Sequence, residues 1–101
     1  MKNRKIKIVV SEPGKMPEVK EIENTLEGMQ SIVGGYIECI ALPNNIDVWL
    51  NEEGLLMNLP FNRYVGGVPV VGTIFAASRN NAGDTISLSD KQIASVMQMF
   101  G

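Results

Sequence analysis

The chain has 101 residues, of which 45% are hydrophobic and 20% are charged. This balance is typical of a globular protein and excludes a disordered one, so residues 1–101 are predicted to form a single domain. The net charge of −2 provides no basic field, so neither nucleic acid nor a membrane is an expected partner, and a cytoplasmic location is predicted. A basic cluster at the start is interpreted as a solvated end: Lys2, Arg4, Lys5 and Lys7.

The residue inventory argues against catalysis and against a metal site. The chain has one cysteine, Cys39, and no histidine, which excludes an intrachain disulfide, a Cys/His zinc site and the usual base near neutral pH. Cys39 lies in an apolar run and is predicted to be a small buried residue. Glu52 and Glu53 are adjacent, so on a strand they face opposite ways. We expect no enzyme here, and no catalytic residue, metal or cofactor.

The first third of the chain predicts two strands and a helix. "KIKIVV" alternates as a strand does, and "EVKEI" follows the Pro-Gly turn as an edge strand. Asn24 is predicted to cap the next helix, with Glu27 in the capping-box position. Gly34 and Gly35 are predicted to end that helix, because glycine adopts the left-handed cap conformation without strain.

The middle of the chain predicts further strands. "GYIECIAL" and "IDVWLN" are two strands separated by an Asn-rich turn, and "LLMN" is predicted to return as a short strand. Trp49 points away from the aliphatic face of its strand, so it either covers a second layer or lies on a contact surface. The run "YVGGVPVVGTIFAAS" is interpreted as a loop followed by a buried strand from Val70 to Ala77.

A second helix is predicted at the C-terminus. Ser89 and Gln92 stand at capping-box spacing. One apolar stripe follows, formed by Ile93, Val96, Met97 and Phe100. The element order and the short links predict an α+β fold: a mostly antiparallel sheet of about five to six strands, with both helices packed on one of its faces.

Polar residues gather around "NEEGLLMNLPFNR". Arg63 offers a fork for a phosphate or carboxylate, and Asn62 donates and accepts beside it. Turn chemistry and a surface ion pair explain the same residues, so both interpretations stay open. In the functional interpretation, the ligand-binding residues are Tyr36, Asn51, Asn62, Arg63, Gly72 and Thr73. The partner surface is then Trp49, Glu52 and Glu53.

Several segments, in order, resemble a known family. "VSEPGKMPEVKEIENTLEGMQSIVGGYIE", "NEEGLLMNLPFNR", "GTIFAAS" and "SLSDKQI" are similar to small proteins grouped as domain of unknown function thirty-eight forty-six. That family occurs in bacteria and especially on bacteriophages, plasmids and other mobile elements. The resemblance implies an accessory protein that interferes with host defence or host regulation by binding something, and it supplies no catalytic residues.

Three functional hypotheses follow. The first is a non-catalytic homo-oligomer that sequesters a small anionic ligand, such as a nucleotide-derived defence signal. The second is an inhibitor or adaptor that binds a host protein through an exposed strand edge or the Trp49 face. A self-assembling structural role is the third hypothesis.

Overall fold

A computed structural model describes residues 5–101. Lys2 and Arg4 of the predicted basic cluster lie outside these residues. The strands are β1 (Lys5–Ser11), β2 (Glu18–Glu23), β3 (Ile37–Leu42), β4 (Ile46–Asn51), β5 (Phe61–Val65), β6 (Val68–Val71), β7 (Ile74–Arg79) and β8 (Thr85–Ile86). The helices are α1 (Leu26–Val33) and α2 (Asp90–Phe100).

The sheet and the helices confirm the predicted α+β class. Six strands form one sheet in the order β2-β1-β7-β4-β3, with β8 paired to the end of β7. Their pairings are antiparallel. Strands β5 and β6 form a separate antiparallel hairpin. The edges of the large sheet are therefore β2 and β3.

The two helices pack on opposite faces of the sheet, so the prediction that they share one face is wrong. Helix α1 packs with Ile8 and Phe75, whereas α2 packs with Val9 and Ala76, together with the β5–β6 hairpin. Successive residues of a strand point to opposite faces. Ile8 and Val9 are both fully buried, which requires a layer on each side of the central strands β1 and β7.

The cap of α1 differs from the prediction by one residue. Thr25 is the N-cap, and its Oγ1 accepts a hydrogen bond from Gly28 N at 3.0 Å. Asn24 instead donates from Nδ2 to the carbonyl of Thr85, which ties the start of α1 to β8. Gly34, with a φ of 84°, ends the helix as predicted.

The capping box of α2 is confirmed. Ser89 Oγ accepts a hydrogen bond from Gln92 N at 3.1 Å, and Gln92 Oε1 accepts one from Ser89 N at 2.9 Å. Val96 and Phe100 are buried against the sheet. The C-terminal helix is thus docked on the core.

The middle of the chain differs from the prediction at several points. "LLMN" is a turn rather than a strand. The segment before Val70, predicted to be a loop, forms the β5–β6 hairpin, in which Tyr64 pairs with Pro69. The strand predicted from Val70 to Ala77 is interrupted, because Gly72, with its positive φ, and Thr73 separate β6 from β7. Neither helix is long and apolar enough to cross a membrane within the described range 5–101.

Candidate functional site

Most of the residues predicted to form a site lie together at one end of the six-stranded sheet, called here the Asn51 end. Strands β1 and β4 finish there, at Ser11 and Asn51, and β3 and β7 begin there, with Ile37 opposite Asn51 and Ile74 opposite Ser11. Hydrogen bonds add the neighbouring segments. The predicted residues found at this end are Tyr36, Asn51, Glu52, Glu53, Asn62, Arg63, Gly72 and Thr73.

Asn51 is engaged inside the fold. Its side chain is buried; Nδ2 donates to the carbonyl of Val33 at 3.2 Å and contacts Met57 Sδ at 3.4 Å. Its Oδ1 accepts a hydrogen bond from Glu53 N at 2.8 Å. Asn51 therefore joins the end of α1 to the turn that follows β4, with no amide group directed at solvent.

Asn62 connects the β5–β6 hairpin to the large sheet. Its Nδ2 donates to the carbonyls of Ser11 and Gly72, at 2.9 and 2.8 Å. Its Oδ1 accepts from Ser11 Oγ at 3.3 Å and from Arg63 Nε at 3.2 Å. An amide has two N–H donors and one oxygen with two lone pairs, so the hydrogen-bonding capacity of Asn62 is fully used.

Arg63 faces the end of α2. Nη1 donates to the carbonyl of Met99 at 3.3 Å, and the guanidinium lies 5.0 Å from the centroid of the Phe100 ring. A cation at a helix C-terminus interacts favourably with the exposed carbonyls and with the helix dipole. The sequence left open whether Arg63 is paired inside the monomer, and the structure pairs it there. Asn62 and Arg63 are called here the polar corner.

The remaining predicted ligand residues differ in exposure. Gly72 has a φ of 77°, its amide donates to the carbonyl of Pro60 at 2.7 Å, and a Cβ there would lie 2.7 Å from Leu59 Cδ1. Its amide is thus unavailable for an anion. Thr73 is half-buried and Tyr36 is 63% exposed. The assignment of these residues to a ligand stays a prediction.

The predicted partner residues are also divided. Trp49 is half-buried against the cluster under α1, and its Nε1 is buried without a hydrogen-bond partner within residues 5–101. Glu52 and Glu53 are exposed, and neither forms an ion pair with another described residue. Two carboxylates without an ion-pair partner among residues 5–101 therefore lie at the surface of the Asn51 end.

Sequence reasoning missed an exposed apolar loop, residues 52–59, which begins with these two carboxylates. Leu55 is 81% exposed, Leu56 is 87% exposed and Met57 is 49% exposed. The signal was present in "EEGLLMN", where an apolar triplet stands between a glycine and an asparagine, both favoured in turns. Asn58 has a φ of 57°, a left-handed conformation that asparagine tolerates.

A second apolar surface lies next to the loop, on the outward side of the β5–β6 hairpin. Phe61 is 53% exposed and Tyr64 is 69% exposed, with ring centroids 5.4 Å apart. A register shift between Phe61 and Arg63 places two residues three positions apart on the same face, which a regular strand would not do. Phe61 and Tyr64 are called here the hairpin outer face.

The loop packs against the end of this hairpin. A Cβ on Gly54 would lie 2.7 Å from Val71 Cγ2, and Val71 is the strand partner of Phe61. Only a glycine allows the loop to approach the hairpin this closely. The apolar loop and the hairpin outer face are therefore neighbours on one side of the molecule.

The opposite end of the sheet holds a cleft of about 470 Å³. It is lined by Asn44, Ile46, Ser89, Lys91, Gln92 and Ser95. None of the residues predicted to bind a ligand lines it. Nearby, the side chain of Arg79 pairs with the Asp47 carboxylate and donates to the carbonyls of Ile46 and Leu42, which joins the ends of β3, β4 and β7.

Cys39 lies on the exposed edge strand β3, so the prediction that it is buried is wrong. Partial burial of the thiol raises its pKa to about 11, and the Asp47 carboxylate beside it is the second cause. The thiol is therefore neutral near pH 7 and is a poor nucleophile. No group of three or more Cys, Asp or Glu side chains suited to a metal ion occurs in residues 5–101.

These features define a class of protein: a small α+β domain with helices on both faces of its sheet and an ordered apolar surface at one end. The family described as Domain of unknown function (DUF3846) matches residues 6–101, and the chain belongs to that family. No curated protein and no solved structure matches the chain.

Proposed function

We propose that this chain is a non-catalytic binding protein that docks on another protein through the apolar loop and the hairpin outer face. The observation that carries the proposal is the exposure of Leu55 and Leu56, at 81% and 87%. Large contiguous apolar patches on soluble proteins mark interaction sites. A host protein is the partner class that the mobile-element resemblance implies.

The order of the loop supports this function. Its backbone is held by hydrogen bonds from Gly54 N to the carbonyl of Asn51, from Met57 N to that of Glu53 and from Leu59 N to that of Gly54, at 3.2, 2.9 and 3.0 Å. A loop held in this way presents its leucines in one conformation. Binding then costs less conformational entropy than it would with a mobile loop.

The charges at the rim indicate the chemistry of the partner. Glu52 and Glu53 flank the leucines without a counter-charge among the described residues. A complementary surface is an apolar groove edged by Lys or Arg, because opposite charges steer encounter and like charges oppose it. Self-association through this surface is disfavoured, since it would bring two pairs of carboxylates together.

The chemistry of the residues supports a role without catalysis. The chain has no histidine, and the Cys39 thiol is neutral near pH 7 because its pKa is about 11. The side chains of the polar corner donate hydrogen bonds to backbone carbonyls within the fold.

The test is affinity capture from cells that naturally contain the protein, with matched variants as bait. The wild type and Leu26→Ser are expected to retain a common protein that the double variant Leu55→Ser/Leu56→Ser loses. Leu26 is a suitable control because it is 55% exposed at the start of α1, which the Asn24 bond to Thr85 places at the opposite end of the sheet from the loop. Loss of both leucines should weaken binding at least roughly tenfold. Identical captured sets from all three baits, or no retained protein, would contradict the proposal.

A small anionic or nucleotide-like ligand is the second candidate, and the cleft is the observation that favours it. Its volume of about 470 Å³ suits a small molecule, and Lys91 provides a cation among hydroxyl and amide groups. Thermal unfolding with nucleotides and inorganic phosphate tests this candidate. A ligand at about a hundred times its dissociation constant should stabilise the fold by about 2.7 kcal/mol.

Two variants make that measurement specific. Lys91→Gln should abolish the shift, whereas Lys5→Gln should preserve it, because Lys5 is exposed at the start of β1 and does not line the cleft. An equal shift in both variants would place the ligand elsewhere. No shift with any compound would leave protein binding as the function.

A further inference from the structure

The two edges of the six-stranded sheet differ in how they are protected. Strand β2 carries four charged side chains among its six residues, Glu18, Lys20, Glu21 and Glu23. Strand β3 has the sequence IECIAL, in which Glu38 is the one charge. Edge strands are usually shielded by charges, prolines or bulges, because unpaired backbone groups recruit other strands. β3 has no proline, and its register with β4 runs without a bulge over six pairs.

The pairing with β4 shows which backbone groups of β3 are free. Glu52 N donates to the carbonyl of Tyr36 at 2.8 Å, so Tyr36 directs its backbone groups towards β4. In an antiparallel ladder the hydrogen-bonding direction alternates along the strand. Ile37, Cys39 and Ala41 therefore direct their N–H and C=O groups outward, away from the sheet.

We propose that β3 pairs with β3 of a second copy of this chain, antiparallel and about a two-fold axis at Cys39, so that the two sheets become one. This dimer is independent of the partner surface described above. Ile37 then lies opposite Ala41 of the second copy, and Cys39 lies opposite its own counterpart. Each outward N–H meets an outward C=O.

The sequence of β3 selects this register over its neighbours. A shift of one pair in one direction puts Glu38 opposite Glu38 of the second copy, and like charges directly opposite each other are destabilising. A shift in the other direction moves Ile37 opposite Pro43 of the second copy, which has no N–H to donate. With Cys39 on the axis, Glu38 lies opposite Ile40, and all three outward residues are paired. The charge pattern thus fits a second copy.

The dimer leaves the apolar loop free. In an antiparallel pair the Tyr36 end of one β3 lies beside the Leu42 end of the other. The two Asn51 ends, each with its loop, then lie on opposite sides of the axis. One dimer would present two docking surfaces and bind a repetitive or dimeric target with increased avidity.

Charge substitutions at the axis test the dimer. Sedimentation over a concentration series should show that the wild type and Cys39→Ser form dimers. Cys39→Lys and Cys39→Glu should each be monomeric, because two like charges meet at the axis. Mixing Cys39→Lys with Cys39→Glu should restore a dimer, which requires that the two side chains face each other.

Three results would overturn the proposal: a monomeric wild type over the whole series, a dimeric Cys39→Lys, or a mixture that does not associate while both variants are folded by circular dichroism. Folding is not expected to fail, because Cys39 lies at an exposed edge. Ala41→Pro provides a second test of the dimer. It removes an outward N–H that β4 does not use, so this variant should also be monomeric. The double variant Leu55→Ser/Leu56→Ser should remain dimeric, so failure of the dimer and failure of the partner surface are distinguishable.

Discussion

The polar corner and the apolar loop lie at the same end of the sheet, and neither has the role that its composition suggests. The polar residues hold the fold together, whereas the apolar residues are exposed. Asn62 and Arg63 have the side chains of a ligand site, yet their polar groups bond to Ser11, Gly72 and Met99. Leu55 and Leu56 have the side chains of a core, yet they are among the most exposed apolar residues of the described chain. Residue type states what a side chain is able to do, and its contacts decide what it does.

The largest stability effect is expected at Asn62. Asn62→Ala removes the donors to two backbone carbonyls and the acceptor for Arg63 and Ser11. Leaving partly buried groups unpaired should lower the free energy of unfolding by about 3 kcal/mol. Urea denaturation measures this loss. Gln98→Ala, at an exposed position of α2, should change stability by less than about 0.5 kcal/mol; equal losses in both would contradict a structural polar corner.

Gly72 and Gly67 form a matched pair for the next effect. Both have positive φ, 77° and 79°, but a Cβ on Gly72 would lie 2.7 Å from Leu59 Cδ1, whereas a Cβ on Gly67 meets no atom within 4 Å. Gly67→Ala should cost about 1 kcal/mol from backbone strain alone. Gly72→Ala should cost more, because Leu59 must also move. Thermal unfolding of the two variants provides the comparison, and a smaller loss for Gly72→Ala would refute close packing of the loop.

Arg63 should show a smaller effect on stability and none on partner capture. Arg63→Ala removes a hydrogen bond to the C-terminus of α2 and the contact with Phe100, together about 1–2 kcal/mol. Arg63→Lys keeps the charge near the helix end and should recover part of that loss. If Arg63→Ala were fully stable but captured no partner, Arg63 would belong to the binding surface.

The smallest stability effect is expected in the apolar loop. Leu55→Ser/Leu56→Ser removes little buried surface, so the free energy of unfolding should change by less than about 0.5 kcal/mol. Calorimetric unfolding of the free protein checks this. A loss of several kcal/mol would show that the leucines are buried, in a dimer or in the monomer, and would remove the contrast with the polar corner.

Much of the fold was predictable because its signals are local. The alternation in β1 and β4, the capping box at Ser89 and the glycine that ends α1 each depend on a few neighbouring residues. The placement of the helices on opposite faces depends on β1 and β7 being buried on both sides. A prediction based on one apolar face for each strand could not include that second layer.

The site was less predictable because its contacts are long-range. Asn62 bonds to a residue that is 51 positions away in sequence, and Arg63 bonds to one that is 36 positions away. No local sequence pattern predicts such pairs. The strand predicted for "LLMN" does not form. The conformation of this segment follows instead from the Asn51 side chain, which accepts from Glu53 N, and from the left-handed Asn58.

The most direct test of the account is photo-crosslinking in cells that naturally contain the protein. A benzophenone side chain replaces Leu56 in one variant and Leu26 in a second, two exposed positions that lie at opposite ends of the sheet. The account predicts a discrete adduct with another protein from position 56 and none from position 26. No adduct from position 56, or the same adducts from both positions, would contradict the claim that the apolar loop is the docking surface.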